Sequence, residues 1–334
     1  MVSIPATTAA QEPAASGAPR TPWGHPDLQG IWDFRSATPL ERSADVGDRP
    51  RLTDAEAAEY LRTAPQRARS FITAVAGDVD VGEELWNDTG SLLVAGSRTS
   101  LVIDPPDGTV PRNDANSQRL FPVLQQILAG RPGSYEERGL SERCIMWTHT
   151  PLLPTFSNNN VQIFQTSDAV TMLHEMVYDI RVIFLDDRPL LPDGLRQLRG
   201  SSHGHWDGDT LVVESTGFRH GMDFLSTGPN MQLVERLTRT GTETIDYQYT
   251  INAPEWFARP WSVSLPHRRT ELPIYEYACH EGNRSMTLML ESARRQDLDV
   301  RRATGGSDAR DEAVNPNKYW TASTAGDIGS GGKD

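Results

Sequence analysis

Val161-Gln-Ile-Phe-Gln-Thr-Ser-Asp-Ala-Val-Thr-Met-Leu-His-Glu-Met-Val-Tyr-Asp-Ile-Arg-Val-Ile-Phe-Leu185 decides the fold class. Three apolar runs, Val161–Gln165, Ala169–Met176 and Ile180–Leu185, are rich in β-branched and aromatic residues. The first two are parted by the turn residues Thr166-Ser-Asp168. Runs this short, bounded by turn chemistry, predict strands. The pattern continues through Thr210–Ser215, Leu233–Arg239, Thr244–Ile251, Trp261–Leu265, Ile274–Cys279 and Met286–Leu290, with turns at Asp207-Gly-Asp209 and Thr240-Gly-Thr242. Strands at hairpin spacing with no helices between them predict an antiparallel sandwich or an up-and-down barrel. The expected fold is mainly β: a barrel-like meander of lipocalin or calycin type over residues 160–300.

Upstream, residues 21–159 predict an irregular and helical layer with short strands, the first at Gly30–Phe34. Leu52–Ala68 has helical character. Thr53 is an apt N-cap, and Glu56 completes a capping box. Pro105-Pro-Asp-Gly108 follows the apolar Ser100–Asp104 and predicts a turn between paired strands. A second helical pattern covers 114–130. Residues 1–20 are Ala-, Pro- and Thr-rich without an apolar centre and read as a disordered lead-in. Residues 301–334 read as a flexible tail, which leaves 21–300 as one domain.

The chain of 334 residues carries a net charge of −13. An acidic surface disfavours nucleic acid and anionic membrane, which reward a basic face. No apolar run approaches the roughly 20 residues of a membrane span. The expected location is cytoplasmic; the alternative is an exported protein whose signal is not part of the sequence. Cys144 and Cys279 are the two cysteines. They predict neither a zinc site nor a disulfide framework. One long-range disulfide and two buried thiols both fit.

Glutamates in apolar strand patterns carry the functional signal. Glu175, Glu214, Glu235 and Glu276 each interrupt such a run. A carboxylate facing a core needs a partner, a metal or a proton. Glu235 shares its alternating face with Leu233 and Leu237, which points it inward. Glu175, Asp179 and Arg181 fall on one hairpin, where an arginine beside two carboxylates splits their protonation. Glu214 with Glu235 and Arg236 form a second set. His280, near neutral by nature, is the candidate proton shuttle. His174, Tyr178, Asn160, Trp206, Tyr277 and Glu276 are the candidate substrate contacts. His203 and His205 alternate onto one face of an extended chain and offer a metal-binding alternative. Phosphate loops, dinucleotide fingerprints and serine-hydrolase elbows are absent from the sequence, so no organic cofactor is expected.

His25-Pro-Asp-Leu-Gln-Gly-Ile-Trp-Asp-Phe34, Thr38-Pro-Leu-Glu-Arg42, Arg98–Gly108, His205-Trp-Asp-Gly-Asp-Thr-Leu-Val-Val-Glu-Ser215 and Ile274–Asn283 resemble a large bacterial family of uncharacterised β-rich proteins. The resemblance runs from about residue 21 to 295. It implies a β-rich fold and no particular reaction; many members are exported, but the sequence lacks their N-terminal signal, which would suit a member recruited to a cytoplasmic biosynthetic pathway. The residues themselves favour a cofactor-independent acid/base enzyme, such as a cyclase, isomerase or dehydratase, acting on a hydrophobic small molecule. Glu175 or Glu235 would serve as acid, His280 or Glu214 as base, and Arg181 as anchor. The alternatives are a lipophilic-ligand binder without chemistry and a metal-dependent barrel enzyme.

Overall fold

In a computed structural model the described residues are 17–64, 92–94, 96–113, 132–138, 140, 143–146, 150–155, 157–186, 188, 191–192, 194–219 and 230–305. The helical pattern at 114–130, most of the lead-in and most of the tail lie outside them. Eleven strands are formed among the described residues: β1 (Gly30–Asp33), β2 (Val102–Asp104), β3 (Asn160–Gln165), β4 (Ala169–His174), β5 (Asp179–Phe184), β6 (Ser201–Asp207), β7 (Thr210–Thr216), β8 (Gln232–Arg239), β9 (Thr244–Asn252), β10 (Trp261–Ser264) and β11 (His267–Thr270). Two α-helices accompany them, α1 (Asp54–Arg62) and α2 (Ser285–Thr304).

Strands β1, β3, β4, β5, β6, β7, β8, β9 and β11 pair in that order, and β11 pairs back to β1. The result is a closed barrel in which every strand has a neighbour on both sides. β9 forks. Its start pairs with β11 through Thr244 and Ile245, and its second half pairs with β10. β10 in turn carries β2, so these two strands extend the sheet beyond the barrel. Strict alternation in β4 and β9 sends Val170, Met172, Ile245, Tyr247, Tyr249 and Ile251 inward. With Trp32, Ile163, Val213 and Leu233 they pack one continuous core. The described barrel interior is therefore packed by its own side chains.

One seam differs from the rest. β5 and β6 run parallel, and a single register pair, Phe184 with His203, joins them. Residues 185–200, which connect these strands, are too long and proline-rich for a hairpin, as a parallel connection requires. Gly204 makes close packing there feasible. A Cβ on it would stand 2.8 Å from Ile183 Cγ2 and 2.9 Å from Leu185 Cδ2. Either side of that contact the two strands diverge.

The chain before β1 clasps the β6–β7 hairpin. Arg20 Nη2 donates to both carboxylate oxygens of Asp209 at 2.7 Å. His25 stacks on Trp206 with centroids 4.5 Å apart. Leu28 N donates to Gln165 Oε1, and Trp32 Nε1 donates to the Leu28 carbonyl. Arg42 Nε donates to Thr99 Oγ1, and its Nη2 donates to the Pro106 carbonyl, which holds the Pro105–Gly108 turn. Thr53 and Glu56 form the capping box of α1 as the sequence predicts.

Several elements depart from the sequence reading. Residues 274–279 form no strand; they cross the surface as irregular chain, with Tyr275 65% exposed. Residues 286–290 are helical, within α2. The reason is visible in a longer window: Met286, Met289, Leu290, Ala293 and Asp297 recur at helical spacing and are the less exposed face. Helix α2 also carries the ordered chain past residue 301, to a left-handed Gly305 cap. β2 pairs with β10 rather than with a strand beyond its own turn. β6 and β11 were hidden by their polar residues, Ser201-Ser-His-Gly-His-Trp-Asp207 and His267-Arg-Arg-Thr270. Cys144 and Cys279 form a disulfide, tying the irregular 271–284 segment to the loop before residue 150. None of the described helices is long and apolar enough to cross a membrane.

Candidate functional site

The divergence of β5 and β6 opens a cleft of about 680 Å³. Its floor is Arg181 and Ser202, its apolar walls include Ile145, Met146, Ile180 and Val182, and residues 196–200 border it. A volume of this size falls within the range of small-molecule sites, and the cleft is open to solvent on one side.

The floor opens onto a polar network inside the barrel. Arg181 occupies an inward position of β5 and is 4% exposed. Its Nη1 donates to Glu235 Oε1 at 2.9 Å, and Nη2 donates to Glu235 Oε2. Nη2 also donates to Ser215 Oγ at 2.7 Å, and Nε donates to Ser202 Oγ at 3.1 Å. Tyr247 Oη donates to Glu235 Oε1 at 2.7 Å and accepts from Leu152 N at 3.1 Å. Five successive strands, β5 to β9, thus converge on one guanidinium–carboxylate pair. Burial alone would pull Arg181 down, but Glu235, by charge and hydrogen bond, outweighs it and holds the guanidinium above its usual value. Burial, then the Glu235 charge, raises the Tyr247 hydroxyl far above the ordinary tyrosine range, so it acts as a donor.

Beside this network lies His267, its ring tilted against Tyr247 at 4.9 Å and Phe34 at 5.6 Å. Burial drives its imidazole from 6.5 down to about 3, against the smaller pull of nearby carbonyls and Asp33. The folded protein keeps it neutral, while the unfolded chain protonates it below about pH 6.5. Stability at this group therefore rises with pH between roughly 3 and 6.5, and is lost as pH falls through that window. The loss between pH 7 and pH 5 is about 2 kcal/mol. Urea melts at both values check this: His267→Phe should reduce the difference by that amount, and an unchanged difference would show that another group carries it.

At the cleft mouth, Asp179 pairs with Arg199, whose Nη1 donates to Thr150 Oγ1 at 2.9 Å. Arg188 pairs with Asp186 and stands over the Phe184 ring. His203 also borders the cleft. Its Nε2 contacts the Asp186 carbonyl, which only accepts, so Nε2 carries the proton and Nδ1 is the basic nitrogen of the neutral ring.

Asp179, Arg181 and His203 thus line the cleft, with Glu235 directly beneath. The other predicted residues lie elsewhere. Glu175 is buried at the turn after β4, where Asn160 Nδ2 donates to it at 2.7 Å and Tyr275 N at 3.4 Å. Its carboxylate belongs to that turn, while Arg181 turns to Glu235, so the expected Glu175–Arg181 set does not form. Val177 and Tyr178 in the same turn are left-handed without being glycine, a costly conformation that its surroundings must impose. Glu214 is exposed on the outer face of β7, opposite His203 in register, because alternation puts Val213 and Ser215 inside. That separates it from Glu235 and removes it as an interior base. His280 and Glu276 are exposed on the irregular 271–284 segment, and Tyr277 is half-buried there. His280 therefore does not sit on the strand face expected for it. His174 is buried in the core, and Trp206 is committed to His25. His205 is exposed, and among the described residues no three His, Cys, Asp or Glu side chains gather as a metal set.

Sequence reasoning missed Ser202, Ser215, Tyr247 and Arg199. Tyr247 and Ser215 did carry a signal: each sits at an inward position of an alternating strand. Ser202 and Arg199 carried none, since neither lies in an apolar run. No protein-family model, curated protein or solved structure matches this chain.

Proposed function

We propose that the chain is a cofactor-independent acid/base enzyme acting on a hydrophobic small molecule in the β5–β6 cleft. The observation that carries this reading is the cleft floor: a gap in the barrel wall leads straight to the buried Arg181–Glu235 network. Such an arrangement holds fixed donors at the base of the cleft, where preorganised dipoles can stabilise developing negative charge. His203 is the group to move a proton, through Nδ1. Arg181 and Ser202 supply the fixed donors, and Glu235 with Tyr247 positions Arg181. A cyclisation, isomerisation or dehydration fits this set, because each needs proton transfer and charge stabilisation only.

The second reading, a ligand-binding protein without chemistry, is favoured by a specific feature: Asp179 and Glu235, the carboxylates of the site, are both already ion-paired. Organic extraction and mass spectrometry of protein purified from its native host, with metal analysis alongside, separates the readings. We expect a co-purified apolar metabolite that the wild type converts and His203→Gln converts at least about 100-fold more slowly. A metabolite that binds but is never converted sinks the enzyme and leaves the binder. Membership of the resembled β-rich family belongs to the same proposal. So does an exported location, which the Cys144–Cys279 disulfide supports, since such bonds are rare in a reducing cytosol.

A further inference from the structure

Resting on the cleft as the ligand site, we propose that its ligand is a short apolar peptide, or a small molecule with a peptide-like backbone, that pairs with β5 as an added strand. The β4–β5 ladder fixes the direction of each main-chain group of β5. Leu185 N donates to the Asp168 carbonyl at 2.9 Å, one step beyond the Ala169–Phe184 pair. In an antiparallel ladder bonded pairs recur at every second residue, so Asp179, Arg181 and Ile183 exchange their hydrogen bonds with β4. Ile180, Val182 and Phe184 therefore aim N–H and C=O the other way, toward β6. Phe184 is met there by the single register pair with His203. No register pair reaches Ile180 or Val182 from β6, and among the described residues no loop main chain bonds to them. The N–H and C=O of both residues are thus left open along the cleft.

Open groups at a strand edge select a partner that presents complementary groups at the same repeat, as an extended peptide does. An aliphatic ligand would cover these groups and leave them without partners, which is costly. The side chains on the two faces set the rest of the match. Ile180 and Val182 point outward, are 61% and 42% exposed, and both border the cleft. A ligand residue directly opposite either one places its side chain on that same outer face, where an apolar group packs against it. The ligand residue between them faces inward, over the floor that Arg181 Nε closes by donating to Ser202 Oγ at 3.1 Å. Both floor groups are already bonded elsewhere as well, to Glu235 and Ser215. A small inward side chain, glycine or alanine, fits there. The open edge is bounded by the Asp179–Arg199 pair at one end and the Phe184–His203 pair at the other. About three ligand residues at roughly 3.3 Å each span it, which favours a short ligand over a longer chain running through.

Isothermal titration of the blocked tripeptide acetyl-valyl-alanyl-valinamide tests the proposal, with decanol as an apolar probe that offers no amide. The tripeptide should bind about tenfold more tightly than decanol. N-methylation should act alternately along it. In the antiparallel register, a methyl group on the first or third nitrogen should weaken binding about tenfold, and one on the second should leave it within about twofold. The reverse alternation supports the added strand in the parallel direction. Val182→Pro removes the open N–H of Val182 without breaking the ladder to β4, and should weaken the tripeptide about tenfold while decanol stays within about twofold. Should that variant not fold, the N-methyl series on the wild-type protein decides. Equal affinity for tripeptide and decanol, or N-methyl effects without alternation, overturns the added strand and leaves the cleft reading intact. A longer peptide with the same core that binds about tenfold more tightly overturns the short ligand. Binding of neither probe overturns the cleft reading and the inference with it.

Discussion

Glu235→Leu should lower the stability of the fold by about 3–5 kcal/mol, because it leaves the Arg181 guanidinium buried without its counter-charge. The remaining partners, Ser202 and Ser215, are neutral hydroxyls and offset little of that loss. Tyr247 loses the acceptor of its hydroxyl at the same time. The double variant Arg181→Met with Glu235→Leu should recover most of the deficit, since replacing a buried pair with apolar groups of like size is often neutral or stabilising. Urea unfolding of the three proteins reads this directly. A single variant within 1 kcal/mol of the wild type would mean that water or another group reaches Arg181, contrary to its 4% exposure. The double variant also separates scaffold from chemistry. If it folds and still turns over the cleft's ligand, the ion pair is structural and the proton chemistry rests on His203 alone.

Cys144→Ser should cost about 2–5 kcal/mol, the usual range for a native disulfide. The bond closes a loop of 135 residues, and by chain entropy such a loop stabilises by roughly 5 kcal/mol. Thermal melts with and without reductant give the measurement: the wild type should fall to the variant's midpoint on reduction, and the variant should not respond. A wild type that ignores reductant would show that the bond does not form in solution. The cleft should feel the change too. Ile145 and Met146 follow Cys144 directly and form part of the apolar wall, so reduction should weaken ligand binding as well as stability.

The β class and the barrel were legible because alternation in β4, β8 and β9 reports a buried face directly, and turn residues mark the ends of those strands. Glu235 was legible for the same reason: leucines two positions away on either side reveal which way it points. What failed was anything that alternation does not control. The partner of Arg181 comes from a strand 54 positions away, and local spacing suggested Glu175 instead. The β5–β6 cleft arises where pairing stops, and a missing hydrogen-bond ladder leaves no mark in a hydrophobic pattern. The 274–279 segment alternates like a strand, yet the barrel closes through β11, which already pairs with both β1 and β9. The stretches that carry the family resemblance hold β1, β2 and most of β7, together with clasp and turn contacts: His25 meets Trp206, and Arg42 holds the turn at Pro106. None of the described cleft-lining residues falls within them.

Barrel closure has a consequence in time. Trp32 faces Arg269 across the β1–β11 pairing, so β1 waits until the chain has been made through β11. At roughly 5–20 residues per second on the ribosome, that wait is on the order of tens of seconds. During it one side of β1 offers unpaired backbone groups to any neighbouring nascent chain. Polysomes crowd such chains together, so the yield of correctly folded protein should depend on translation speed and chaperone supply more than on the stability finally reached.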